Sequence, residues 1–72
     1  MNKETFELKE ESEFIELIKL LKIKSIAQTG GHGKLLIEDG LVFVNGDQEF
    51  RKRKKLKQGD IVAIDDIEIK IV

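Results

Sequence analysis

The sequence contains no cysteine, no tryptophan and no tyrosine, and four phenylalanines are its whole aromatic inventory. Without cysteine there is no disulfide, no thiolate nucleophile and no zinc site built on sulfur, so the fold must rest on packing, and the composition suits a reducing compartment. No apolar run approaches the roughly 20 residues a membrane span requires, and the N-terminus opens on alternating charges where a signal peptide would carry an apolar stretch. The expectation is a cytoplasmic protein with no membrane partner. No internal repeat, proline-rich linker or low-complexity segment divides the 72 residues. They are read as one domain, 1–72, too short to hold both a large core and an enclosed catalytic cavity.

What is present is enough Ile, Leu and Val to build a core: 40% of residues are hydrophobic and 38% charged, which places the chain in the globular class. The net charge of -1 hides a division along the chain. Residues 1–16 carry two Lys and six Glu, net -4; residues 17–57 carry ten basic and four acidic residues, net +6; residues 58–72 return to net -3. Inside the basic middle, Arg51, Lys52, Arg53, Lys54, Lys55 and Lys57 put six cations in seven positions.

Thr5 to Lys9 alternates, with Phe6 and Leu8 on one side, and predicts a short first strand. Ser12 offers an N-cap oxygen, and Phe14, Leu17, Ile18 and Leu21 recur at i, i+3, i+4 and i+7, which predicts an amphipathic helix to about Lys22. A second short helix is expected from about Gly31 to Asp39, with Gly40 as its left-handed C-terminal cap. Leu41 to Val44 is a strand running into Asn45-Gly46, the pair a two-residue hairpin turn prefers, and Gln48 to Arg51 should return as its partner. Leu56, the lone apolar residue of the basic run, should anchor that loop to the core. Gln58-Gly59-Asp60 is turn chemistry, Ile61 to Ile64 a strand, Asp65-Asp66 a turn, and Ile67, Ile69 and Ile71 alternate in a final strand. The fold class is α+β: two short helices packed on a small antiparallel β-sheet.

The stretch Thr29-Gly30-Gly31-His32-Gly33-Lys34 is the most distinctive. Glycines at a helix start let backbone approach a ligand, and the first helical turn presents unpaired N–H groups to an anion; the same glycines also serve a tight helix entry that binds nothing. A nucleotide-binding loop would need Gly at position 28 and Ser or Thr at 35, where the chain has Gln28 and Leu35. His32 has no Cys and no spaced acid to form a metal site with, and no Ser or Cys is set up as a nucleophile. Glu38, Asp39, Asp65 and Asp66 fall at a helix end and a turn. No enzyme, metal, cofactor or small-molecule substrate is expected. The run from Arg51 to Lys57 can be a solvated loop, but six cations without an acid repel one another in a way that an acidic partner relieves, which favours nucleic acid. With Phe6, Phe14 and Phe43 assigned to core-facing patterns, stacking platforms for single-stranded bases are scarce, and phosphate and shape recognition of a folded RNA fits better.

Leu36-Ile37, Gly40, Val42-Phe43-Val44-Asn45-Gly46 and Leu56-Lys57-Gln58-Gly59-Asp60-Ile61-Val62 together resemble the S4 RNA-binding domain family, over roughly residues 12–64. Thr29-Gly30 stands where most S4 domains carry Ser-Arg, and Thr29-Gly30-Gly31 with Lys34 looks instead like the compact, stand-alone bacterial S4 proteins of the YaaA and YbcJ type. The resemblance implies an S4-like fold with the αL motif and a role in RNA binding, in ribosome assembly or translation. It also implies an RNA-facing groove between the second helix and the loop after the hairpin, which falls on Lys34, Arg51, Lys52, Arg53, Lys54 and Lys55.

The reading is therefore a domain that binds structured RNA, ribosomal or tRNA-like, and through it a ribosome or ribosomal precursor. Its candidate site residues are Thr29, Gly31, His32, Lys34, Asn45, Arg51, Lys52, Arg53, Lys54, Lys55 and Lys57. Two alternatives stand beside it. A β-grasp sulfur carrier shares Val-Asn-Gly and Leu-x-x-Gly-Asp-x-Val, but such carriers end in Gly-Gly where this sequence reads Ile71-Val72. A protein-interaction module docking on ribosomal proteins would use the first helix or the last strand.

Overall fold

Alternation of apolar and polar residues in the last third of the chain builds the sheet on which everything else rests. The computed structural model describes residues 2–72. Its elements are β1 (Asn2–Phe6), β2 (Ile15–Glu16), α1 (Leu17–Ile23), α2 (Gly30–Glu38), β3 (Val42–Val44), β4 (Asp47–Gln48), β5 (Lys55–Leu56), β6 (Ile61–Ile64) and β7 (Ile67–Ile71). Five strands form one sheet in the order β1-β7-β6-β3-β4, and β2 pairs with β5 in a separate two-stranded ribbon. Val42, Val44, Val62, Ile64, Ile69 and Ile71 are buried on the inner face, as period-two spacing requires. Leu17, Leu20 and Leu21 of α1, Ile37 of α2 and Leu56 of β5 close the core over them. The two helices on a mostly antiparallel sheet agree with the fold class expected from sequence. One junction is parallel: β1 runs alongside β7, with Asn2 opposite Ile67 and Phe6 opposite Ile71.

Three element boundaries depart from expectation, and each departure has a tertiary cause. The first strand lies at Asn2–Phe6, earlier than Thr5 to Lys9, because its extent is set by the length of β7 beside it. Phe6 and Leu8 still pack against the core, and the chain leaves the sheet where Leu8 N–H reaches the Val72 carbonyl. The first helix starts at Leu17, and Ser12 is not its cap. Ile15 and Glu16 are extended instead, opposite Leu56 and Lys55, and Ile15 is buried while Phe14 points outward. The hairpin partner ends at Gln48; Phe50 and Arg51 leave the ladder because the chain must cross to the start of α1.

Both helices end on the same device. After α2, Gly40 at φ +76° donates its N–H to the Ile37 carbonyl, and Leu41 donates to Leu36. After α1, Ser25 at φ +59° donates to Lys22, and Ile26 donates to Leu21. This paired bonding satisfies carbonyls that the helix leaves open. The Asn45-Gly46 turn has φ of +53° and +89°, the positive pair its tight hairpin needs.

Gly33 is a packing residue, not a point of ligand approach. It is buried, and a methyl there would run into Ile18 Cδ1 and lie 3.3 Å from Ala27 Cβ. At Gly30 a methyl meets nothing within 4 Å. Helix propensity favours alanine over glycine by about 1 kcal/mol, and overpacking costs about 1–3 kcal/mol. Gly30→Ala should therefore melt at or slightly above the wild-type temperature. Gly33→Ala should melt lower, by about 5 °C for each net kcal/mol lost, as thermal denaturation followed by circular dichroism would show.

Candidate nucleic-acid interface

The basic loop is held by its backbone, which leaves its side chains to face solvent. The N–H groups of Leu17 and Ile18, the open donors at the start of α1, donate to the carbonyls of Lys54 and Lys52 at 2.9 Å each. No side chain caps this helix; the loop's carbonyls do so. Leu56 is fully buried beneath the loop, Lys54 N–H closes a turn onto Arg51 O, and Lys55 Nζ stands 4.9 Å over the Phe14 ring, a cation–π contact. The loop is thereby pinned at both ends against α1.

Between this loop and α2 lies an open groove of about 780 Å³, lined by Lys34, Ile37 and Glu38 from the helix and by Phe50, Arg51, Lys52, Arg53, Lys54 and Lys55 from the loop. A smaller depression of about 370 Å³ adjoins it, where Lys34, Lys52 and Arg53 meet Gly30, Gly31 and two lysines of α1, Lys19 and Lys22. Together the two hollows are lined by eight basic side chains and two acidic ones, Glu38 and Glu16. Their field is therefore positive although the whole chain is slightly acidic. Lys34, Lys52 and Arg53 line both hollows.

The remaining candidates lie elsewhere. Thr29 Oγ1 accepts from His32 N–H at 3.0 Å, and His32 Nδ1 accepts from Gln28 N–H at 3.3 Å. These side chains shape the helix entry and line neither hollow, and the His32 N–H, one of the first-turn donors, is already taken. Of the helix entry, Gly30 and Gly31 reach the smaller depression. Asn45 is fully engaged on the far end of the hairpin: its Oδ1 accepts from Ile61 N–H, and its Nδ2 donates to Asp60 Oδ1 at 3.1 Å. Asp60 Oδ2 accepts from Lys57 N–H at 2.8 Å. The Val-Asn-Gly and Gly-Asp-Ile segments are thus one interlocked unit that holds the end of the basic loop at Lys57. Lys57 lies at that lock, outside both hollows.

Five residues that shape this surface were not among the candidate site residues. Lys19 and Lys22 sit at i, i+3 on the polar side of α1, a spacing that puts them on one face. Glu38 faces Lys34 across 3.9 Å on the exposed surface, a pair worth little, and sets a negative charge inside the groove. Phe50 is 55% exposed there. Phe14 and Phe43, expected in the core, are each 38% exposed, so aromatic surface is less scarce than the sequence suggested.

Glu49 is the fifth. Its carboxylate accepts from Arg51 Nε at 3.0 Å, from an Arg51 terminal nitrogen at 3.2 Å and from Arg51 N–H at 3.1 Å. The side-chain hydrogen bond from Arg51 holds the Glu49 carboxyl below its usual range, against a smaller opposing effect of burial. The Asp60 carboxyl is also lowered: burial opposes ionisation, and the hydrogen bonds from Lys57 and Asn45 outweigh it. A carboxyl depressed in the folded state stabilises the fold above its unfolded value, about 4; that contribution disappears as pH falls through the folded value. Glu49→Gln has no such ionisation to lose. The gap in melting temperature between wild type and Glu49→Gln should therefore narrow as pH is lowered from about 7 to about 3, a trend readable by thermal melts across that range.

The family model of the S4 domain matches residues 6–72. The chain belongs to the S4 domain family. The probable ribosome maturation protein RlbA of Bacillus subtilis (strain 168) is 34% identical to this S4 chain over 55 residues, covering 76% of it and 78% of the relative. The Escherichia coli (strain K12) protein YbcJ is 34% identical over 58 residues, covering 81% of this chain and 83% of its own. The solution structure of E. coli YbcJ, described as revealing an "ALFAL" motif involved in RNA-binding, superposes with a TM-score of 0.69 over 94% of this chain and 85% of that one. With the S4 fold established, the β-grasp carrier suggested by the shared Val-Asn-Gly and Gly-Asp motifs is set aside.

Proposed function

We propose that this S4 protein binds structured RNA by its phosphates, with ribosomal RNA or a ribosomal precursor as the target, and serves ribosome maturation or translation in the cytoplasm without catalysing a reaction. The observation that carries the reading is the meeting of cations from distant segments, Lys34 of α2, Lys19 and Lys22 of α1 and the loop from Arg51 to Lys55, around adjoining hollows. Such an arrangement costs self-repulsion in the free protein and is relieved by a polyanion. The groove is open rather than enclosed, as a helical backbone passing through it requires. The family match adds weight, as do the RNA-binding motif described for YbcJ and the maturation role in the name of RlbA.

In this reading Lys34, Lys52 and Arg53 lie at the centre of the contact, Arg51 is presented by Glu49, and Gly31 offers backbone to a neighbouring phosphate. Binding by phosphate neutralisation releases counterions, and for duplex DNA the slope of log K against log salt is about -0.9 per phosphate. With about four phosphates engaged, a titration of ribosomal RNA fragments between roughly 50 and 300 mM salt should give a slope near -3 to -4. A flat titration would remove the proposal.

A further inference from the structure

A grip on phosphates leaves one residue of the groove without a task. Phe50 lines it beside Lys34, Ile37 and Arg51, with 55% of its surface exposed. The other two exposed rings are placed differently. Phe14 lies beneath the Lys55 ammonium, and Phe43 faces away from the core on the sheet, opposite Ala63 and Gln48. Only Phe50 presents an aromatic surface inside the cationic hollow.

The Phe50 ring also lies near the end of α2. Its Cε1 lies 3.6 Å from the position a Cβ would take on Gly40, the residue that caps α2. The space beside it is filled by Gln48, whose Nε2 donates to the Gly40 carbonyl at 2.9 Å. The result is an aromatic group with more than half of its surface exposed, in a hollow that cations of α2 and the loop also line. A flat apolar surface with positive charge at its rim matches the chemistry of a nucleobase attached to its own phosphates.

We infer that Phe50 is a stacking platform for an unpaired base, so that the groove selects RNA at a bulge, loop or junction over uninterrupted duplex. This deepens the RNA-binding reading above and rests on it. In a continuous A-form helix the base faces are buried in the stack, and phosphates and 2′-hydroxyls are what the protein can reach. Such a duplex engages the cations and leaves Phe50 unused. A nucleotide turned out of the stack engages both. Stacking of one base on an aromatic side chain contributes about 1–3 kcal/mol, or about 5-fold to 150-fold in affinity.

The test uses two RNA hairpins of the same stem sequence, one fully paired and one carrying a single bulged nucleotide. The wild-type protein is expected to bind the bulged hairpin at least about 5-fold more tightly. Phe50→Leu, which keeps an apolar side chain at this position, should lose the preference and bind the two hairpins equally. Phe50→Trp should keep the preference and give the chain its sole tryptophan, whose fluorescence the bulged hairpin quenches more than the paired one. Equal wild-type affinity for the two hairpins, or a preference that survives Phe50→Leu, would overturn the stacking role alone. Salt-independent binding of both hairpins would overturn the RNA reading and the stacking role with it.

Discussion

Replacing Lys52 and Arg53 together by glutamate is expected to weaken RNA binding about 100-fold at moderate salt while leaving the melting temperature within a few degrees of wild type. The magnitude follows from a loss of about tenfold, or 1.4 kcal/mol, at each position. Both residues line both hollows and both are exposed. Neither has an ion-pair partner among the described residues, so their removal breaks no bond within the protein. Their backbone positions, held by the Lys52 carbonyl on Ile18 N–H, do not depend on the side chains. The salt slope should fall by about 2, one for each phosphate contact removed. Arg51 is a poorer choice for such a test, because reversing its charge would also remove the two side-chain hydrogen bonds it donates to Glu49. Lys57→Glu supplies the control: it is a cation of the same run, but outside both hollows, and its reversal should change affinity by no more than a few-fold. Filter binding or fluorescence anisotropy with a ribosomal RNA fragment reads wild type and both variants. If Lys57→Glu weakened binding as much as the double variant, the interaction would depend on diffuse charge and the groove would have no special place in it.

The largest loss of stability is expected at Leu56. This side chain is completely buried under the basic loop, and its backbone pairs with Ile15 just before α1. Truncating a buried leucine to alanine costs about 2–5 kcal/mol, partly in transfer energy and partly in the cavity left behind. A domain of this size has a total stability of about 4–11 kcal/mol at 0.05–0.15 kcal/mol per residue, so Leu56→Ala removes a large fraction of it. Leu35→Ala makes the same chemical change at a site 60% exposed on α2 and should alter stability by less than about 0.5 kcal/mol. Urea denaturation of the two variants separates them. Because Leu56 also fixes the loop to the core, Leu56→Ala should weaken RNA binding even at temperatures where it remains folded. Equal midpoints for the two variants would show that Leu56 carries no anchoring load.

Signals confined to a few neighbouring residues were the legible part of this chain. Gly40 ends α2; Asn45-Gly46 turns the hairpin; Ile67, Ile69 and Ile71 alternate as they should. The run from Arg51 to Lys57 is visible as charge, and Leu56 within it as an anchor. The partner groups were not legible. Phe14, Leu17, Ile18 and Leu21 have helical spacing, yet Ile15 is the buried residue at the start and Phe14 is not, because pairing with Leu56 draws Ile15 and Glu16 into extended backbone. Glu49 gives no local sign that it will hold Arg51, and Phe50 gives none that it will lie near Gly40 and open into the groove.

By itself the sequence determined the local conformations, through residues whose own φ preference or hydrogen-bonding group decides them, and it determined that positive charge collects in the middle of the chain. Only the tertiary structure decided which cations share a surface, since Lys19, Lys22 and Lys34 join Arg51 to Lys55 across separations in sequence that spacing cannot encode. The physical reason is that the loop's placement is fixed by backbone carbonyls donated to by Leu17 and Ile18, and every residue except proline carries that same donor and acceptor pair. No side chain records in advance which of them will meet.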